Sequence, residues 1–144
     1  MALAAAQVID AIAGRISGAT SAGTRVYTSR TWPLGEESLP AWRVVAGSEV
    51  VTLVGLGDLL HEHHLDIEAR AFVRAVADLD DAMHALALAA LPAIFAAPVP
   101  YGLEHTGIER EMAAEGEAAV GVITLNLRAH FFTRPTAPQT ILSS

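Results

Sequence analysis

The sequence predicts an α+β fold: a single domain with a mostly antiparallel sheet, two helices packed on one face and a C-terminal hairpin. Leu65, Ile67, Ala69 and Ala71 alternate with His64, Asp66, Glu68 and Arg70, the period-two signature of a strand with one dry and one wet face. From Leu79 the spacing changes, and Leu79, Met83, Leu86, Ala90 and Ile94 fall on one side of a helix. The third observation is the return of strict alternation near the end. Ile123, Leu125, Leu127, Ala129 and Phe131 form one face, against Val122, Thr124, Asn126, Arg128 and His130 on the other. A helix with one apolar stripe and strands with one apolar face are expected to cover each other.

Taken in order, Ala2 to Ser17 reads as the first helix. Ala5, Ile9, Ile12 and Ile16 make its stripe, and Gly18 stands where a left-handed residue would end it. A small-residue linker leads to a short strand at Thr24 to Ser29. The stretch TWPLGEESLP, Thr31 to Pro40, is a loop bounded by prolines. Ala41 to Ala46 and Glu49 to Val54 read as two strands separated by a turn at Gly47-Ser48. Gly55, Gly57 and Asp58 mark the next reversal, and another strand begins near Leu60. Asp78 is expected to cap the long helix, with Asp80 and Asp81 complementing its positive end. Leu103 to Met112 suits a polar strand, Glu115 to Glu117 a hairpin turn, and Val120 to Phe132 the return strand. Residues 1–132 thus form the domain and 133–144 an extended C-terminal tail. Pro135 and Pro138 exclude a helix there, and Ile141 and Leu142 are too few to make a core, so the tail is expected to order only against a neighbour.

Of the 144 residues, 52% are hydrophobic, enough for one well-buried domain. Much of that fraction is alanine, which favours packing against further copies. The net charge is −7 and all nine basic residues are arginine, a balance that argues against a surface gripping phosphates. The absence of cysteine removes disulfides and thiolate metal sites. The first residues lack a signal-peptide pattern. The uncharged run Ala85 to Tyr101 is short and interrupted by Pro92, Pro98 and Pro100, so no membrane span is expected.

His61, Glu62, His63 and His64 are the one conspicuous polar cluster. On a strand His61 and His63 share a face, but Leu65 stands where a zincin helix would place its second histidine. A solvated or subunit-facing cluster is the preferred reading, with a small metal-dependent enzyme as the alternative. The pairs Glu36/Glu37, Asp80/Asp81 and Glu115/Glu117 lie in a loop, a helix start and a turn, where solvation or helix-end electrostatics explains them. No GxSxG elbow occurs, and Gly55-Leu56-Gly57 lacks the rest of a dinucleotide fingerprint. No catalytic residue, cofactor site or metal site is therefore assigned. Trp32 and Trp42 flank the proline-bounded loop, either as core anchors or as aromatic anchors at an interface.

Within Arg25 to Val45, RVYTSRTWPLGEESLPAWRVV resembles the phage tail-terminator family, which includes the minor tail protein U of lambdoid phages. The similarity lies in an opening helix, an Arg-Val-aromatic strand, an acidic Pro-Leu loop and a Leu-Pro step into a second strand. HHLDIEARAFV, the Leu-Asp-Asp helix and a closing hairpin from Ile108 to Phe131 then follow in the same order, extending the likeness from Ala2 to Thr133. The resemblance implies a non-enzymatic virion protein. It would form a homohexameric ring at the head-proximal end of the tail, cap the tube, stop its polymerisation and meet the head–tail connector protein. Assembly would occur in the host cytoplasm, and DNA would pass through the ring without sequence-specific binding. A head-completion or neck protein is the alternative within the same virion. Exposed apolar groups beside charges suit a contact surface. The expected interface with a neighbouring subunit or the tail-tube protein comprises Trp32, Leu34, Glu36, Glu37 and Leu39 of the loop, with Ile141 and Leu142 of the tail.

Overall fold

The computed structural model describes residues 3–28, 39–75, 77–115 and 118–142. Its elements are α1 (Ala4–Ile16), β1 (Val26–Tyr27), β2 (Ala41–Val54), β3 (Leu60–Ala75), α2 (Leu79–Ile94), β4 (Gly102–Glu115) and β5 (Ala118–Thr133). The five strands form one sheet in the order β1-β2-β3-β5-β4. β1 runs parallel to β2, and every other pairing is antiparallel. This is the expected α+β domain with its C-terminal hairpin.

The core follows from the alternation. Leu65, Ile67, Ala69 and Ala71 of β3 are buried, as are Ile123, Leu125, Leu127 and Ala129 of β5, and the register sets each row directly beside the other. Leu79, Met83, Leu86, Ala90 and Ile94 of α2 close over them, all buried. From α1, Val8, Ile9, Ile12 and Ile16 join the same layer beside Trp42, whose indole is fully buried and donates through Nε1 to Thr20 Oγ1 at 3.1 Å. Trp42 is therefore a core anchor with its one polar atom satisfied. Gly18 takes the left-handed conformation expected after α1, with φ +79°.

α2 has no basic residue in its last turn, yet its final carbonyls are served by Arg15 of α1. The guanidinium donates through Nη1 to Ile94 O at 2.7 Å and Ala97 O at 2.6 Å, and through Nη2 to Pro98 O at 3.4 Å. A cation at a helix C-terminus complements the dipole while satisfying orphan acceptors, so one side chain fastens the two helices together.

Four sequence readings change. Ala41 to Val54 is one strand, and Gly47-Ser48 is not a turn but the site of a register shift between Ala46 and Glu49 against β3. An inserted residue reverses which parity faces the helices, so two half-strands of opposite phase look like separate strands. Asp78 precedes α2 in the left-handed region, φ +58°, and its side chain makes no cap hydrogen bond. Pro92 lies inside α2, near its C-terminal end, rather than interrupting it. Finally, the segment after Thr133 does not extend away from the domain. Arg134 bridges Ala137, Ala4 N donates to Pro138 O at 3.2 Å, Gln7 Nε2 to Gln139 O at 2.6 Å and Leu142 N to Phe132 O at 2.9 Å. Ile141 packs against the core while half-exposed. Residues 134–142 thus fold back on α1 and β5 instead of forming the expected extended tail, held by hydrogen bonds to the segment's main chain and by Ile141 against the core. Among the described residues, no helix is long and apolar enough to cross a membrane.

Candidate functional site

Because both helices cover one face of the sheet, the other face of β3 and β5 is built from the wet residues of the alternation. Glu62, His64, Asp66, Glu68 and Arg70 stand in register with Phe132, His130, Arg128, Asn126 and Thr124. Charges on this surface pair locally. Arg128 Nε donates to Asp66 Oδ1 at 3.0 Å, and Arg70 Nη2 to Glu68 Oε2 at 2.7 Å. Between the bulged part of β2 and β5 lies a cleft of about 360 Å³, lined by Gly47, Ser48, Asp66, Glu68, Asn126 and Arg128. It is polar and open, with its one arginine already paired to a carboxylate.

The four-residue histidine stretch divides between the two faces. His61 and His63 point to the helix side, as the alternation requires, and their rings meet edge to face at 6.3 Å. His63 stacks on Phe131 at 4.6 Å, and both its ring nitrogens are engaged: Nδ1 with Glu49 Oε2 and Nε2 with Thr133 Oγ1, each at 2.8 Å. This connectivity of carboxylate, imidazole and hydroxyl is that of a nucleophilic triad. Thr133, however, is completely buried, so no carbonyl can approach its oxygen. The relay ties β2, β3 and β5 together, and the His61/His63 pair has no nitrogen of His63 to spare for a metal.

His64 joins a different group on the open face. Its ring stacks on His130 at 4.6 Å with 29° between planes. His64 Nε2 lies 3.2 Å from Glu62 Oε1, and His130 Nε2 lies 3.5 Å from Glu62 Oε2. The His64 hydrogen bond, followed by that from His130, holds the Glu62 carboxyl below its ordinary 4.5 against the opposing effect of partial desolvation. Two imidazole nitrogens and a carboxylate oxygen, all within 4.8 Å of one another, can share a proton or hold a cation. Sequence reasoning missed His130. Its only local signal is its place on the wet side of the β5 alternation, in phase with Arg128 and Asn126.

The second surface of note is the β2–β3 hairpin. Val50, Val51, Leu53, Leu56 and Leu59 are all exposed there, with Leu56 fully so at the turn. Among the described residues, β2 is an edge strand beyond its short pairing with Val26 and Tyr27, and β4 is the opposite edge. Of the residues expected at an interface, Trp32, Leu34, Glu36 and Glu37 lie outside the described residues. Leu39, two residues before β2, is half-buried, as are Ile141 and Leu142. No protein-family model matches the chain, and no curated protein matches it.

Proposed function

We propose that this chain is a structural subunit of a phage tail that assembles into a hexameric ring, caps the tail tube and presents the surface on which the head connector docks. The observation that supports it is the β2–β3 hairpin. Five exposed aliphatic residues crowd a hairpin at one edge of the sheet. Soluble monomers seldom keep such a group in water, and an edge strand is the part of a sheet that another chain can extend. A heterologous contact, in which the β2 edge of one copy meets the β4 edge of the next, closes into a ring when the rotation permits. The net charge of −7 is compatible with a lumen that DNA crosses without adhering. The proline-bounded loop, with Leu34 and its neighbours, completes the contact surface in this reading.

The test is the mass of the full chain in solution by light scattering, with and without purified tail tubes. Six-fold particles that seat on tube ends are expected. A twelve-fold particle moves the protein to the connector side of the joint, and a strict monomer at high concentration that ignores tubes overturns the proposal. Val51→Asp combined with Leu53→Asp should abolish the ring yet leave the monomer's melting midpoint nearly unchanged, since both side chains are exposed in the isolated fold.

A further inference from the structure

We propose that Glu62, His64 and His130 form a binding site for a divalent transition-metal ion of the zinc class on the open face of the sheet. The site is independent of ring formation. It is carried by the geometry of three side chains that neighbouring strands hold in fixed register, with His64 directly opposite His130 and Glu62 one step along the same face of β3.

Around a tetrahedral zinc with bonds of about 2.0–2.2 Å, neighbouring ligand atoms stand about 3.3–3.6 Å apart. Here the two imidazole Nε2 atoms lie 3.2 and 3.5 Å from the two oxygens of one carboxylate. Each imidazole thus stands at about coordination spacing from the carboxylate, and the three ligand atoms all lie within 4.8 Å of one another. Stacking fixes the imidazoles further, since His64 and His130 lie nearly parallel and His130 meets Phe132 edge to face at 5.1 Å. Two nitrogens and one oxygen suit zinc, cobalt or nickel; calcium and magnesium prefer oxygen alone. The side chains of Glu62, His64 and His130 keep 29%, 42% and 40% of their surface exposed, so an ion has an open entry path and water can occupy the fourth position. The His61/His63 pair fails the same examination, because Glu49 and Thr133 already occupy both nitrogens of His63.

The experiment uses the full chain without an affinity tag, freed of metal by chelation and titrated with zinc chloride in a calorimeter. Cobalt chloride serves in a parallel optical titration. One ion per chain is expected, with an intense visible cobalt spectrum of tetrahedral type. His64→Ala and His130→Ala should each weaken zinc binding at least tenfold and Glu62→Gln several-fold, with circular dichroism showing that each variant stays folded. His61→Ala and His105→Ala should bind within twofold of the parent. Zinc binding that survives in the His64→Ala/His130→Ala double variant, or that falls equally in His61→Ala, would overturn the assignment, as would a parent chain that binds no ion.

Discussion

Gly121 lies on the face of β5 that α2 covers, and an added methyl group there measures how closely the helix sits on the sheet. A Cβ at this position would stand 2.7 Å from Met83 Sδ and 3.2 Å from both Cγ and Cδ2 of Leu79. Ordinary contact begins at about 3.5 Å, so the sulfur must retreat by nearly an ångström and Leu79 by a few tenths. Met83 can swing, because its thioether is flexible, but it is fully buried among residues that must then move as well. Overpacking of this kind costs about 1–3 kcal/mol, and replacing a strand glycine by alanine returns about 0.5–1 kcal/mol. Gly121→Ala should therefore destabilise the domain by about 0.5–2 kcal/mol. At roughly 3–4 °C per kcal/mol for a chain of this length, its melting midpoint falls by about 2–8 °C in a calorimetric scan. Gly107→Ala is the matched control, because its Cβ would meet nothing closer than Asn126 Nδ2 at 3.8 Å, and it should melt at or slightly above the parent. If Gly121→Ala is as stable as Gly107→Ala, α2 does not press on β5 as described and the reasoning fails.

Removing the Arg15 clasp by Arg15→Ala should cost about 1.5–3 kcal/mol in urea unfolding, since it strips charge-assisted donors from the carbonyls at the end of α2; Arg15→Lys should recover only part, and full recovery would show that charge alone matters. Burial raises the Tyr101 hydroxyl above its ordinary 10, partly offset by the nearby Arg15 guanidinium. A raised folded value means that the stabilisation is present below pH 10 and is lost as pH climbs through the folded value, so Tyr101→Phe should flatten the alkaline limb of a stability curve, and an unchanged limb counts against it. Gly55→Ala should weaken the β2–β3 hairpin, because φ is +100° and the methyl group would stand 2.5 Å from Asp58 O; hydrogen exchange should quicken at Val54 and Leu60 before the sheet centre responds, and uniform protection would contradict this.

The central strands were legible because their message is local and uninterrupted: one residue in two is apolar along β3 and β5, and the two rows pair across the sheet without a slip. The same reading stumbled at Gly47-Ser48, where an irregularity inverts the phase of β2 and imitates a turn. His64 could be found but not His130, because their meeting depends on which strands are neighbours, and alternation within one strand says nothing about that. Asp78 has the composition of a helix cap and the backbone of something else, a distinction that resides in φ and not in residue type. The 134–142 segment misled for a further reason. Its attachment rests largely on main-chain acceptors and donors that every sequence carries, at Pro138, Gln139 and Leu142, with Ile141 as the one apolar contact, so its side chains gave little sign of it.

β2, which only the two-residue β1 flanks on its outer side, and the edge strand β4 carry irregularities at the same level, Ala46/Glu49 and His105/Gly107, while the strands between them are regular. An incoming strand that aligns with one half of either edge meets donors and acceptors out of step in the other half. A flat, featureless segment therefore gains only part of the pairing that an unbroken edge would offer, and stops there. A strand whose own edge bears a complementary step would pair along its length in one register only.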